Sequence, residues 1–162
     1  MTLDNPIPAG SDEPADPDSD LESFWHRSIP MTRAMRIEVV TLDADGIGLR
    51  APLAPNANDK GTAFAGSLNA MMTLAAWGWI WWRTRAEPQP PEIVIARSEQ
   101  AFRRPVRETI SVRCESPDPA ELERFHAELR QRDKARLTLQ ARTVLSDGED
   151  AAWQRGEYVA YR

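Results

Sequence analysis

The stretch from Asn58 to Trp82, NDKGTAFAGSLNAMMTLAAWGWIWW, decides how this chain is read. From Leu68 onward its apolar residues lie all round a helical wheel rather than along one stripe, which means burial on nearly every side. Asn69, Thr73 and Gly78 interrupt the run, and it falls short of the ~20 residues a membrane span needs. The pattern therefore predicts a long buried helix over roughly residues 63–84. Arg83 and Arg85 suit the negative C-terminal end of its dipole, and PQPP closes the segment. The start is richer than a cap requires: residues 58–67 hold an asparagine, a threonine and two glycines.

Around this helix the chain reads as strands. MRIEVVTLD alternates weakly and GIGLRAPL clearly, with Asp45-Gly46 between them, which predicts a hairpin. IVIARSEQAFRRPV and TISVRCES read as a strand pair around Pro105. ARLTLQARTVLSDG and EDAAWQRGEYVAYR read as a closing hairpin turned at Asp147-Gly148. Between these pairs, SPDPAELERFHAELRQRDK is a surface helix with Asp118 as N-cap and Pro119 at its first position. Glu121 completes a capping box, and Leu122, Phe125 and Leu129 form its single apolar face. A short helix is predicted in SDLESFWHRSI, capped by Ser19 or Asp20 and ended by Pro30.

Six antiparallel strands and one buried helix pack most simply as an α+β domain whose sheet curls around the helix on three sides. The fourth side would stay uncovered, which argues for a second copy and a two-fold dimer. Residues 19–162 are read as this one domain. Residues 1–18, proline-rich and acidic with no basic residue, are read as a disordered tail.

Of the 162 residues, 28% are charged and 41% hydrophobic, ordinary for one soluble domain. A net charge of −5 argues against a general nucleic-acid binder. An acidic start without an apolar core is no signal peptide, and the lone Cys114 fits a reducing, cytoplasmic setting. Cys114 alternates with Ile110 and Val112, so it reads as a core-facing strand residue rather than a nucleophile. His26 and His126 lie in no ligand-like cluster, and no metal is implied.

The loop and helix start resemble those of the hotdog-fold thioesterases, in which N-x-x-G-T-x-H-G-G leads into the central helix. Asn58, Gly61, Thr62 and Gly66 match in register, while Phe64 stands in place of the histidine and Ala65 in place of the first paired glycine. FRRPVRETISVRC is similar to the strand pair in which aromatic-x-R-P-V precedes the next strand. The wording is most similar to the thioesterase branch that forms the C-terminal domain of YiiD-type acetyltransferases, and the acetyltransferase half is absent here. Together these matches cover most of residues 34–162. The resemblance implies the hotdog fold, a homodimer or a tetramer of such dimers, and hydrolysis of acyl thioesters carried on coenzyme A or acyl carrier protein. Coenzyme A or phosphopantetheine would then be part of the substrate, with no separate cofactor.

The residues support such a site by themselves. Gly61 and Gly66 let backbone approach a ligand, and the amides of Ala65 and Gly66 at the helix start have no intrahelical acceptor. A carbonyl oxygen placed there is stabilised as it gains charge. Asn58 can hold the attacking water or the carbonyl, or else Asn58 and Thr62 merely cap the helix. Related enzymes carry a carboxylate on the central helix where this chain has Thr73, which can orient water but not take its proton. Asp59 and Glu99 are the replacement carboxylates or else solvated surface acids, the latter reading suiting Glu99 better, so the base is open. Arg97, Arg103, Arg104 and Arg107, with Lys60, suit phosphates of coenzyme A or serve to protect a strand edge. Trp77, Trp79, Trp81 and Trp82 are core or interface, or they set the depth of an acyl tunnel beside Phe64 and the helix. A dehydratase on the same fold would want a histidine where Phe64 stands, and a non-catalytic acyl binder would fit Thr73.

Overall fold

The computed structural model describes residues 20–162, so the expectation for residues 1–18 lies outside them. Two short helices come first, α1 (Leu21–Ser28) and α2 (Pro30–Met35), followed by strands β1 (Glu38–Asp43) and β2 (Gly46–Ala51). The long helix α3 spans Ala65–Thr84. Then come β3 (Glu92–Phe102), β4 (Ile110–Glu115), α4 (Pro119–Arg132), β5 (Lys134–Val144) and β6 (Asp150–Tyr161). The six strands form one antiparallel sheet in the order β1-β2-β4-β5-β6-β3. Its inner face wraps α3, which is the hotdog arrangement the resemblance implies. No helix among the described residues is long and apolar enough to cross a membrane.

Alternation decides what faces α3. Ala135, Leu137, Leu139 and Ala141 of β5 are buried while the residues between them stay in solvent. Cys114 is buried among them, and the apolar surroundings push its thiol pKa up to about 12. From α3 come Leu68, Met71, Met72, Ala75, Ala76, Trp79 and Ile80. Trp79 is fully enclosed and donates its ring N–H to the Asp43 carbonyl at 3.1 Å. Gly78 sits mid-helix because Trp25 of α1 lies against it: a Cβ there would come within 2.5 Å of that ring. Phe24, Trp77 and Trp81 stack beside it, with Phe24 and Trp81 centroids 5.3 Å apart. Two of the four tryptophans of α3, Trp77 and Trp81, thus meet the extra helix α1 within one chain.

Three local expectations change. Pro30 does not merely stop α1; it occupies the first position of α2, where its missing N–H costs nothing. Asp118 caps α4 by accepting from the Ala120 amide at 2.9 Å, and Glu121 returns no bond to it. The strands around Pro105 do not pair with each other. β3 joins β6 at one edge, whereas β4 lies between β2 and β5, so the chain crosses the sheet between them.

Candidate functional site at the start of the central helix

The loop before α3 is organised by side chains. Asn58 accepts the amides of Lys60 (2.9 Å) and Thr62 (3.2 Å) on Oδ1. Its Nδ2 donates to Thr62 Oγ1 at 2.9 Å and approaches the Ala63 carbonyl at 3.5 Å. Gly61 closes this turn at φ +69°, a left-handed conformation that glycine adopts without strain. The asparagine, glycine and threonine of the motif therefore brace one another and leave the helix cap to Phe64, which makes no side-chain capping bond. Asn56, which the sequence reading passed over, anchors the loop from below. It is buried and donates to the carbonyls of Met35 and Pro52, both at 2.9 Å. The Ala63 amide bonds the Val106 carbonyl at 2.8 Å, tying the loop to the R-P-V segment.

At the helix start, the amides of Ala65 and Gly66 have no acceptor among the described residues. Ala65 lines a depression of 260 Å³ whose walls also include Asn58, Leu68, Phe102, Arg103 and Arg104, and Gly66 follows it in the chain. Phe64, 55% exposed, lays its ring on Gly66, where a Cβ would meet it at 2.3 Å. This puts an aromatic ring beside the second of the free amides.

The charged residues divide. Arg103 and Arg104 flank the depression, held by their amides to the Ala151 carbonyl at 2.8 and 3.1 Å. Arg104 also pairs with Asp147 at 3.0 Å. The Glu149 amide, with that guanidinium, holds the Asp147 carboxyl below its usual pKa. Arg107 is exposed and outside the depression. Arg97 and Glu99 sit opposite Glu157 and Arg155 on the face of the sheet turned away from α3. The four arginines are thus not one cluster, because alternation along β3 sends Arg97 to the other face. Asp59 and Lys60 pair with each other at 2.8 Å in solvent, and neither lines the depression.

Thr73 lies two turns into α3, half-buried, with its hydroxyl bonded to Gln154 of β6. Gln154 and its other partner, Asn69, were not foreseen. A signal for them existed: apart from the Tyr158 hydroxyl, Gln154 is the one polar side chain in the inward series Ala152, Gln154, Gly156, Tyr158, Ala160. Below it, burial holds the Tyr158 hydroxyl protonated far above the ordinary range, and it donates to the Thr73 carbonyl at 3.2 Å.

The sequence model of the family described as "Putative thioesterase (yiiD_Cterm)" matches residues 18–162. Among solved structures, a Chlorobaculum tepidum protein of unknown function is 29% identical, with a TM-score of 0.82 over 88% of this chain and 92% of its own. A Shewanella oneidensis structure titled as that of the putative thioesterase is 30% identical, with a TM-score of 0.74 over 88% and 95%. A Pseudomonas aeruginosa protein titled a probable thioesterase shares the fold at 20% identity and a TM-score of 0.76 over 87% and 93%. With nearly its whole described length matched, the chain belongs to the YiiD C-terminal thioesterase family of the hotdog fold.

Proposed function

We propose that the chain hydrolyses acyl thioesters of coenzyme A or acyl carrier protein, with the acyl oxygen received by the Ala65 and Gly66 amides. The observation that carries this reading is the pair of unbonded N–H groups at the positive end of a 20-residue helix whose first residue, Ala65, lines a depression. Family membership supports the reaction class. Arg103 and Arg104 supply cationic walls for the phosphates of the carrier arm, while Lys60 stays paired with Asp59 in solvent on the loop. Gly61 and Thr62 shape that loop, and Phe64 borders the acyl group. Asn58, its amide engaged within the loop, acts by holding the helix start in place, while Thr73 orients water further along.

The site is completed by a second copy. β3 is an edge strand of 11 residues, bonded only to β6, with Val94, Ile95 and Phe102 left 38–45% exposed. An 11-residue edge has unpaired backbone groups that can join another strand, and a two-fold homodimer satisfies them. The lone buried thiol fits a cytoplasmic protein.

Thiol release from a panel of acyl-CoA and acyl carrier protein substrates tests the reading. Turnover on at least one, reduced in Asn58→Ala, is expected. The rival reading is an acyl-CoA binder without turnover. It is favoured by one observation: Asp59 faces solvent, and no carboxylate among the described residues lines the depression. Tight binding with no thiol released on any chain length would select it.

A further inference from the structure

Gln154 is 1% exposed on a strand whose other inward residues are apolar or glycine, apart from the Tyr158 hydroxyl. An apolar side chain would fill that position with no polar atoms to satisfy. The amide is fully used. Its Nε2 donates to Asn69 Oδ1 at 2.7 Å and to Thr73 Oγ1 at 3.0 Å, and its Oε1 lies 3.3 Å from the Thr73 hydroxyl. Asn69 is therefore gripped by its oxygen. The Nδ2 edge, with two N–H donors, points the other way and meets no acceptor among the described residues.

Where that edge points follows from helix geometry. At about 100° per residue, Asn69, Thr73 and Gly66 fall within about 60° of one another on α3. Side chains on a helix lean toward its N-terminus, which directs the Asn69 side chain from its Cα toward the turn that holds Ala65 and Gly66. This strip is the half-open side of α3: Gly66, Asn69, Ala70, Thr73 and Leu74 are all partly exposed. An oriented donor with spare N–H groups, on the open strip and one turn from the free backbone amides, is placed to meet a ligand.

We propose that Asn69 is a substrate-facing donor, contributing a side-chain N–H to the acyl oxygen beside the Ala65 and Gly66 amides, and that Gln154 is the positioning residue that aims it. The inference rests on the thioester reading for its substrate, but on the Asn69–Gln154 bond for its geometry.

Three variants test it: Asn69→Leu, Asn69→Asp and Gln154→Met. Asn69→Asp keeps the oxygen that Gln154 grips and loses the donor. Each is assayed for thiol release and for binding of a non-hydrolysable acyl-CoA thioether, with thermal unfolding as the control for folding. Asn69→Leu and Asn69→Asp are expected to lose roughly ten-fold or more in kcat/KM. Gln154→Met is expected to lower kcat with KM little changed, and to add nothing in an Asn69→Leu background, since it acts through that residue. Wild-type kcat/KM in both folded Asn69 variants overturns the proposal. So does a faster Asn69→Asp, which would mean that the position wants a base. If wild type releases no thiol, the hydrolase reading falls alone and the thioether decides. Roughly ten-fold weaker binding by Asn69→Leu supports the donor, and unchanged or absent binding in both proteins overturns it.

Discussion

Replacing Ala65 by proline removes one N–H group and little else. Ala65 is the first residue of α3 and is exposed, and its amide has no partner within the described chain. Proline is at home at that position, because its φ is preset for the helix and the amide it lacks is unbonded there. The preceding residue must be extended to avoid the proline ring, and Phe64 already is, at φ −67° and ψ 133°. The fold is therefore expected to hold, with stability unchanged or raised by about 0.4–1 kcal/mol through the restricted unfolded chain. If the Ala65 amide carries the developing oxyanion, its loss costs about 2.7–4 kcal/mol in the transition state, or about 10²–10³ in kcat. The assay is steady-state thiol release from the best acyl-CoA, alongside thermal unfolding. Ala65→Ser, which adds bulk but keeps the N–H, serves as the control and should stay near wild type. A folded Ala65→Pro enzyme within about two-fold of wild-type kcat would refute the role of this amide.

Other outcomes follow from the core and the caps. Trp79→Asp removes a fully buried ring, itself worth about 3–5 kcal/mol, and adds an unpaired charge, so circular dichroism should show an unfolded chain rather than a folded monomer. Cys114, with its pKa pushed up to about 12, stays a neutral thiol at pH 8; iodoacetamide should modify it only after unfolding, and fast labelling of the native protein would contradict its burial. Asp118→Ala deletes the cap of α4 and should lower stability by about 1 kcal/mol, a fall of about 2–4 °C in Tm. An unchanged Tm would show that the exposed first turn of α4 does not depend on its cap.

Local order was legible because local chemistry enforces it. The all-round apolar pattern after Leu68 set a central helix, observed over Ala65–Thr84. Asp45-Gly46 and Asp147-Gly148 marked the two hairpins, and Asp118-Pro119 marked the start of α4. The unbonded amides at residues 65 and 66 were foreseeable too, since every helix leaves its first N–H groups without internal partners. Asn58 showed itself as special, but whether it faced a ligand or its own loop depended on atoms up to five residues away in a folded turn.

Neighbours across the sheet were another matter. A period of two tells which face a residue takes, not which strand lies beside it. Pairing β3 with β6 rather than β4 is what set Arg97 and Glu99 opposite Glu157 and Arg155, and left a bare edge at Val94 and Ile95. The same pairing problem hid Gln154, which meets Asn69 across a separation of 85 residues. Sequence settled where helices and turns begin, since those depend on bonds within a few residues. Only the folded sheet decided which distant side chains share the open strip of α3, because closing the intervening chain is worthwhile only when the whole core forms at once.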